Sequence, residues 1–366
     1  MTTSSGPLHG LKVIEMAGLA PGPFAAMMLA DMGAQVLRID RPDPAPRAMP
    51  QRFYFTDRNR RSIAVDLKSP EGVALVQRLV GGADALIEGF RPGVAERLGI
   101  GPDECLAANP RLIYGRMTGW GQSGPMAALA GHDINYLSIT GALNAIGPAA
   151  APVPPLNLLG DFGAGSMLLV IGLLAALAER SSSGVGQVVD AAIVDGTALL
   201  SQMTWTARSN GAWSDSRQDN LLDGGAPFYS VYPCSDGLFM AVGAIEPQFF
   251  ARLLQGLELD GVDPADQMNR GQWPRLARAI GDRFATRTRA EWTEVFAGLD
   301  ACVTPVLDWA EALDDGHLRA RDVLVDIDGD IHAAPAPRFS RTPSRRPDRP
   351  SADTEDVSAI LAGWAS

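Results

Sequence analysis

Lysine and cysteine are nearly missing from this chain of 366 residues, and the gaps narrow its chemistry. With two lysines, Lys12 and Lys68, a Schiff base has few places to form. The three cysteines, Cys105, Cys234 and Cys302, are odd in number, widely spaced and without a C-x-x-C pair. That pattern argues against a disulfide framework and a zinc site, and a reducing, cytoplasmic compartment is expected. Four histidines (His9, His132, His317, His332) include no H-x-x-x-H spacing, so no metal is expected. There is no G-x-S-x-G nucleophile elbow. No basic stretch leads into an apolar signal core, and the most apolar run, 166–178, is shorter than the roughly 20 residues that span a bilayer. It ends in Glu179-Arg180 and reads as a buried helix, with no membrane partner. A net charge of -11 argues against a nucleic-acid partner, because affinity for a phosphate backbone needs an excess of Lys and Arg.

What is present is ample apolar content, 46% of residues, and a length that divides into about two or three lobes. Apolar strands at 11–16, 35–40, 62–67, 85–90 and 112–117 alternate with helices. The first helix has Pro23 in its opening turn and Gly33 at its stop. Such alternation predicts an α/β fold with a parallel sheet wound on both faces. A long apolar helix ends near Arg180, and a further helix over 191–209 leads out of this lobe. A hairpin over 229–242, around Ser235-Asp-Gly237, followed by helices marks a second, smaller domain. The domains expected are thus 1–190, a helical linker 191–222, a small domain 223–320 and a return segment 321–366 that packs on the first.

The opening strand-turn-helix invites a dinucleotide reading with Asp40 as the ribose acid, but its turn, Gly18-Leu-Ala-Pro-Gly-Pro23, lacks G-x-G-x-x-G and has two prolines without N–H donors. Between Arg38 and Arg61 lie seven arginines (38, 41, 47, 52, 58, 60, 61) against the acids Asp40, Asp43 and Asp57. The island is either a solvated loop with ion pairs or a seat for an anionic ligand. Acid-base chemistry remains. Gly131-His132-Asp133 and Gly160-Asp161-Phe162 each set a titratable group at a helix start, where free N–H groups also stabilise a developing oxyanion. Both also admit bland readings, a hydrogen-bonded structural histidine and an aspartate N-cap.

Beyond these features the chain closely resembles the α-methylacyl-CoA racemases of the family III CoA-transferase fold. The likeness is carried by PGPFAAMMLADMGAQVLRIDRP (21–42), RMTGWGQSGP (116–125), AGHDINYLSITGAL (130–143), PPLNLLGDFGAGSM (154–167), GQVVDAAIVDG (186–196) and VGAIEPQFF (242–250). It implies an interlocked homodimer whose chains each have a large Rossmann-like domain and a small α+β domain, with active sites where two chains meet. It implies His132 and Asp161 as an opposed acid-base pair, with Glu246 orienting or charge-balancing the histidine. It also implies coenzyme A contacts: Arg41 and Arg97 near the phosphates, Val65 and Leu67 near the adenine, with Glu88, Gly89, Arg91 and Tyr136 along the same groove. The arginine island then becomes a phosphate-binding face. The expected activity is epimerisation at the α-carbon of a 2-methylacyl-CoA by 1,1-proton transfer through an enolate. Amides near Asp161 are the expected oxyanion donors, and no cofactor is needed beyond the coenzyme A of the substrate. Met117, Met126 and Met167 would suit a branched acyl chain or simply form core. Two alternatives stand beside this one. A family III CoA-transferase would use Asp161 as a carboxylate nucleophile and have no use for an opposed base. A non-catalytic acyl-CoA binder would keep the groove without turnover.

Overall fold

The computed structural model describes residues 6–42, 55–348 and 357–364. From the start the chain runs β1 (Lys12–Met16), α1 (Pro21–Asp31), β2 (Gln35–Asp40), β3 (Arg61–Ala64), α2 (Pro70–Gly81), β4 (Ala85–Glu88), α3 (Val94–Arg97), α4 (Pro102–Ala108) and β5 (Ile113–Thr118). It continues through α5 (Asp133–Ile139), α6 (Ala142–Ala145), a π-helical stretch Leu158–Met167, α7 (Leu168–Ser183), β6 (Gln187–Ala192) and α8 (Ile193–Leu200). The six strands form one parallel sheet in the order β3-β2-β1-β4-β5-β6. The order reverses between β1 and β4, and in doubly wound sheets ligands bind outside the carboxyl ends of the strands at that switch.

Local sequence accounts for these elements. The central strands are apolar on both faces, as helix-covered parallel strands must be. Successive residues of β1 point opposite ways: Val13 joins Ala25, Leu29, Leu169 and Leu173 in one core, and Ile14 joins Leu37, Val76, Leu79 and Leu86 in the other. Ser69 caps α2 by accepting the Gly72 N–H at 3.0 Å, with Pro70 at the first helical position. Three expectations change. The third strand is the short Arg61–Ala64 rather than 62–67. Residues 187–192 form the edge strand β6, half exposed and interrupted by Asp190, so no apolar run announced it. The helix expected over 191–209 starts at Ile193 and breaks after Leu200. The apolar helix is also longer than its sequence run, because Leu158–Ser183 spans 26 residues, long and apolar enough by length and composition to cross a bilayer. Its Leu169, Val170, Leu173 and Ala176 are buried in the first core.

The chain then forms α9 (Gln202–Ser209), β7 (Tyr229–Pro233), β8 (Phe239–Gly243), α10 (Pro247–Gly256), α11 (Trp273–Phe284), α12 (Arg289–Phe296), β9 (Val303–Pro305), α13 (Trp309–Asp314) and α14 (Gly316–Ala320). The β7-β8-β9 sheet is antiparallel over a core that includes Phe228, Phe250, Phe284 and Trp292. The hairpin β10 (Leu324–Ile327) and β11 (Asp330–Ala333) and the helix α15 (Val357–Trp364) complete the chain. The described residues divide into two units, one drawn from Met1–Thr140, Pro155–Ser201 and Arg321–Ser366, the other from Gly141–Pro154 and Gln202–Ala320. The first boundary therefore falls at Ser201 rather than 190, and 141–154 goes with the second unit. The return segment is tied into the first by the Arg345 N–H on the Asp31 carbonyl at 2.8 Å and by Ile360 and Trp364 in the α2-side core.

Candidate active site

At the carboxyl ends of β1, β4 and β5 the first unit opens into a cavity of about 460 Å³. The turn from Met16 to Pro23, the segment Gly89 to Pro92, the segment Met117 to Trp120 and the start of α5 all line it. His132, Asp133, Tyr136 and Asp161 face this one space. A second cavity of about 560 Å³ lies over the ends of β2 and β3, lined by Val65, Leu67, Lys68, Val94 and Leu98. Met16, Ala17, Arg41 and Phe90 border both.

His132 is the extended residue before α5, and the Asn135 side chain accepts its N–H at 3.1 Å. Its exposed imidazole borders the cavity. Asp161 sits in the π-helical stretch, a rare geometry that recurs at functional sites. Two contacts hold that stretch in place. Asp133 Oδ2 accepts the Asp161 N–H at 2.7 Å, and the Gly160 amide lies close to the same carboxylate. The buried Ser166 hydroxyl meets the Asp161 carbonyl at 3.0 Å and the Pro21 carbonyl at 2.8 Å, joining the stretch to the turn after β1. A Cβ on Gly160 would lie 2.3 Å from Asp133 Oδ2, so the close approach requires glycine. Gly119 makes a like allowance for Tyr136, whose ring would meet a Cβ there at 2.0 Å and which packs edge-on to Trp120 at 4.6 Å.

The environment of Asp161 sets its proton. Burial, then the neighbouring Asp133 charge, raise its pKa to about 6, against the pull of an Asn157 hydrogen bond and His132. Asp133 is itself raised by burial, and its Oδ1 is buried without a hydrogen-bond partner among the described residues. Burial, then the Asp161 charge, also push the Tyr136 hydroxyl up.

The other expected site residues do not all meet in one cavity. Gly89, Arg91 and Tyr136 line the first cavity, Val65 and Leu67 the second, and exposed Arg41 both. Exposed Arg97 lies on α3 between Val94 and Leu98 and lines neither. Glu246 lies in the second unit as the exposed residue before α10. Of the methionines, Met117 lines the first cavity and Met167 a separate one with Phe24 and Phe55. Met126 borders neither.

Three expectations need correction. Glu88 does not line the groove: fully buried, it receives Arg116 at 2.8 Å and the Phe90 N–H at 2.6 Å, and so holds the loop that carries Gly89 and Arg91. Burial raises its pKa in spite of these contacts. Nor is the arginine island one phosphate face. Arg58 pairs with Asp31 at 2.6 Å, Arg60 with Glu15 and with Asp57 at 2.9 Å, and Arg38 with Asp57 at 2.7 Å and Asp40 at 3.0 Å, all in largely buried surroundings. Guanidinium groups so neutralised fix the segment after residue 54 onto the sheet; Arg47 and Arg52 lie outside the described residues. The amide of Asp161 is likewise taken by Asp133 and is not an open oxyanion donor. Reading the sequence for the site passed over Asp133, although it adjoins His132; its signal was a second acid beside the candidate base. Among the described residues no three His, Cys, Asp or Glu side chains gather as metal ligands would.

The profile of CoA-transferase family III matches residues 8–354 of the chain. An alpha-methylacyl-CoA racemase of Mus musculus is 48% identical over 340 residues, covering 92% of this chain and 87% of its own. The alpha-methylacyl-CoA racemase of Homo sapiens is 46% identical over 339 residues with the same coverage of 92% and 87%. Among solved structures, a CAIB/BAIF family protein from Brucella suis superposes with a TM-score of 0.83 at 25% identity, covering 98% of this chain and 100% of that one.

Proposed function

Because the chain belongs to CoA-transferase family III, we propose that the cavity at the β1–β4 switch is where this racemase holds the α-carbon of a 2-methylacyl-CoA between His132 and Asp161. The enzyme interconverts the two epimers at that carbon, the activity named for its relatives at 46–48% identity. The observation that carries the residue assignment is that imidazole and carboxyl border one cavity, with the carboxyl held near pKa 6.

The chemistry dictates the rest. Neutral His132 takes the α-proton from one epimer, the electron pair moves onto the thioester oxygen as an enolate, and protonated Asp161 delivers a proton to the opposite face. In the other direction the Asp161 carboxylate is the base and the imidazolium the acid. One proton is shared by the pair, so the active enzyme is the singly protonated one, and a raised Asp161 keeps both tautomers within reach near neutral pH. Interconversion of epimers is nearly thermoneutral and balances without redox, so no cofactor enters beyond the coenzyme A of the substrate. Arg41, at the junction of the two cavities, takes phosphate oxygens together with Arg97, and Val65 and Leu67 offer apolar walls to the adenine. Glu246 orients His132 from the second copy of an interlocked homodimer, and the enzyme works in the cytoplasm.

The test is to incubate one pure epimer of a 2-methylacyl-CoA in deuterated water, following the α-proton by NMR and the epimer ratio by chiral analysis. Deuterium entry with the ratio drifting to unity is expected. No exchange with several branched chains would reject the reading and direct attention to acceptor-dependent CoA transfer.

A further inference from the structure

From the contact between α5 and the π-helical stretch we infer that the Asp133 carboxylate is the positioning residue of this site, clamping the turn that carries Asp161 and setting through its charge how firmly Asp161 keeps its proton. The inference rests on the reading of Asp161 as one of the two proton-transfer groups. Its geometric half is direct. Oδ2 receives the Asp161 N–H at 2.7 Å, and Gly160 has no Cβ to push the carboxylate away. Asp133 is the first residue of α5, and its side chain reaches across to the next segment.

Its electrostatic half follows from what surrounds the pair. Oδ1 is buried without a partner among the described residues. The groups facing Asp161 are Asp133, His132 and Tyr136 from α5, and its own neighbour Asn157, with Arg91 acting on Tyr136. Charges on the other packed elements are paired elsewhere, Asp31 of α1 with Arg58, Arg116 of β5 with Glu88 and Glu96, and Arg180 of α7 with Asp84, while Asp195 of α8 and Asp190 of β6 act on one another. After burial, Asp133 is the largest influence raising Asp161. Two carboxyls joined through one turn cannot both ionise freely. The arrangement thus supplies the protonated carboxyl that one direction of the reaction requires.

Asp133→Asn separates charge from clamp, because its amide oxygen can still accept the Asp161 N–H. The Asp161 titration is read by carbon NMR on aspartate-labelled protein, with the signal identified by its loss in Asp161→Asn. We expect the Asp161 midpoint to fall by about one pH unit in Asp133→Asn, and the acid limb of α-proton exchange to move down with it. Should Asp133→Asn not fold, Asp133→Ser keeps an acceptor without the charge and is read in the same way. A midpoint that stays put in a folded variant overturns the inference even if the enzyme racemises. The titration needs no substrate, so a wild-type protein that exchanges no α-proton rejects the racemase assignment while leaving the carboxyl coupling to be judged by itself.

Discussion

At the residue scale the two acid-base groups make unequal demands. An opposed pair predicts asymmetric damage when one member is removed. In His132→Ala the Asp161 carboxylate still removes the proton from one epimer and returns deuterium to the same face. Racemisation should therefore fall by about 10²–10⁴-fold, the ordinary worth of a positioned acid or base, while solvent exchange survives for that epimer alone. Asp161→Asn should leave exchange only for the other epimer, and NMR on each pure epimer reads both. Asp161 also bears on stability. Burial and Asp133 hold its folded pKa near 6, whereas an unfolded aspartate ionises near about 3.9. Below about pH 4 both states keep the proton and the group contributes nothing; above about 6 both are ionised and folding bears the full penalty of the buried charge. Asp161→Asn should thus raise Tm by a few degrees at pH 8 and not at pH 4. The side chain is partly open to water, so screening holds the gain to about 1–2 kcal/mol. Equal melting curves at pH 8 would mean that the carboxyl is not held above its ordinary value.

At the scale of elements, the arginines between 38 and 61 divide into those that build and those that bind. Arg58→Ala would leave Asp31 buried with its main counter-charge gone, a loss of about 3–5 kcal/mol. Arg41→Ala touches an exposed side chain at the junction of the cavities, and should leave the stability within about 0.5 kcal/mol of wild type. Its signature is a KM for the CoA thioester raised roughly tenfold or more, as for a lost charged hydrogen bond. Melting and steady-state kinetics on the two variants test that division. That division is not written in the sequence. Strands β1, β2, β4 and β5 and their parallel sheet were legible because β-α-β alternation with Pro and Gly at the helix ends leaves little choice, and the 229–242 hairpin announced itself by Ser235-Asp-Gly237. His132 and Asp161 were legible as titratable residues at segment starts. Which arginines find buried acids is a matter of tertiary contact: Asp31 lies 27 residues before Arg58, and Glu15 lies 45 before Arg60. The π-helical register of Leu158–Met167 was equally hidden, because a π turn has no residue signature of its own, only the space that Gly160 leaves for Asp133.

At the scale of the whole molecule, the unsettled weight falls on apolar surface. Within the first unit Leu158, Met167, Ile171, Val188, Leu199 and Leu200 are all exposed by 40% or more, on elements that adjoin one another. This is surface that the proposed homodimer would cover. If each site joins His132 of one copy to Glu246 of the other, the arrangement has a genetic consequence. His132→Ala and Glu246→Ala homodimers are both impaired at every site. A mixed dimer, however, brings the intact histidine of one chain to the intact glutamate of the other at one of its two sites, and puts both lesions in the second. Co-expression with two tags and isolation of the doubly tagged species should then give about half the wild-type racemisation rate per dimer, far above either parent. A site that draws both residues from one chain gives no such rescue, because each site keeps one lesion whatever its partner. Light scattering on the same preparation should report twice the 38.7 kDa of one chain. A monomer of full activity would remove the premise that Glu246 acts from a second copy.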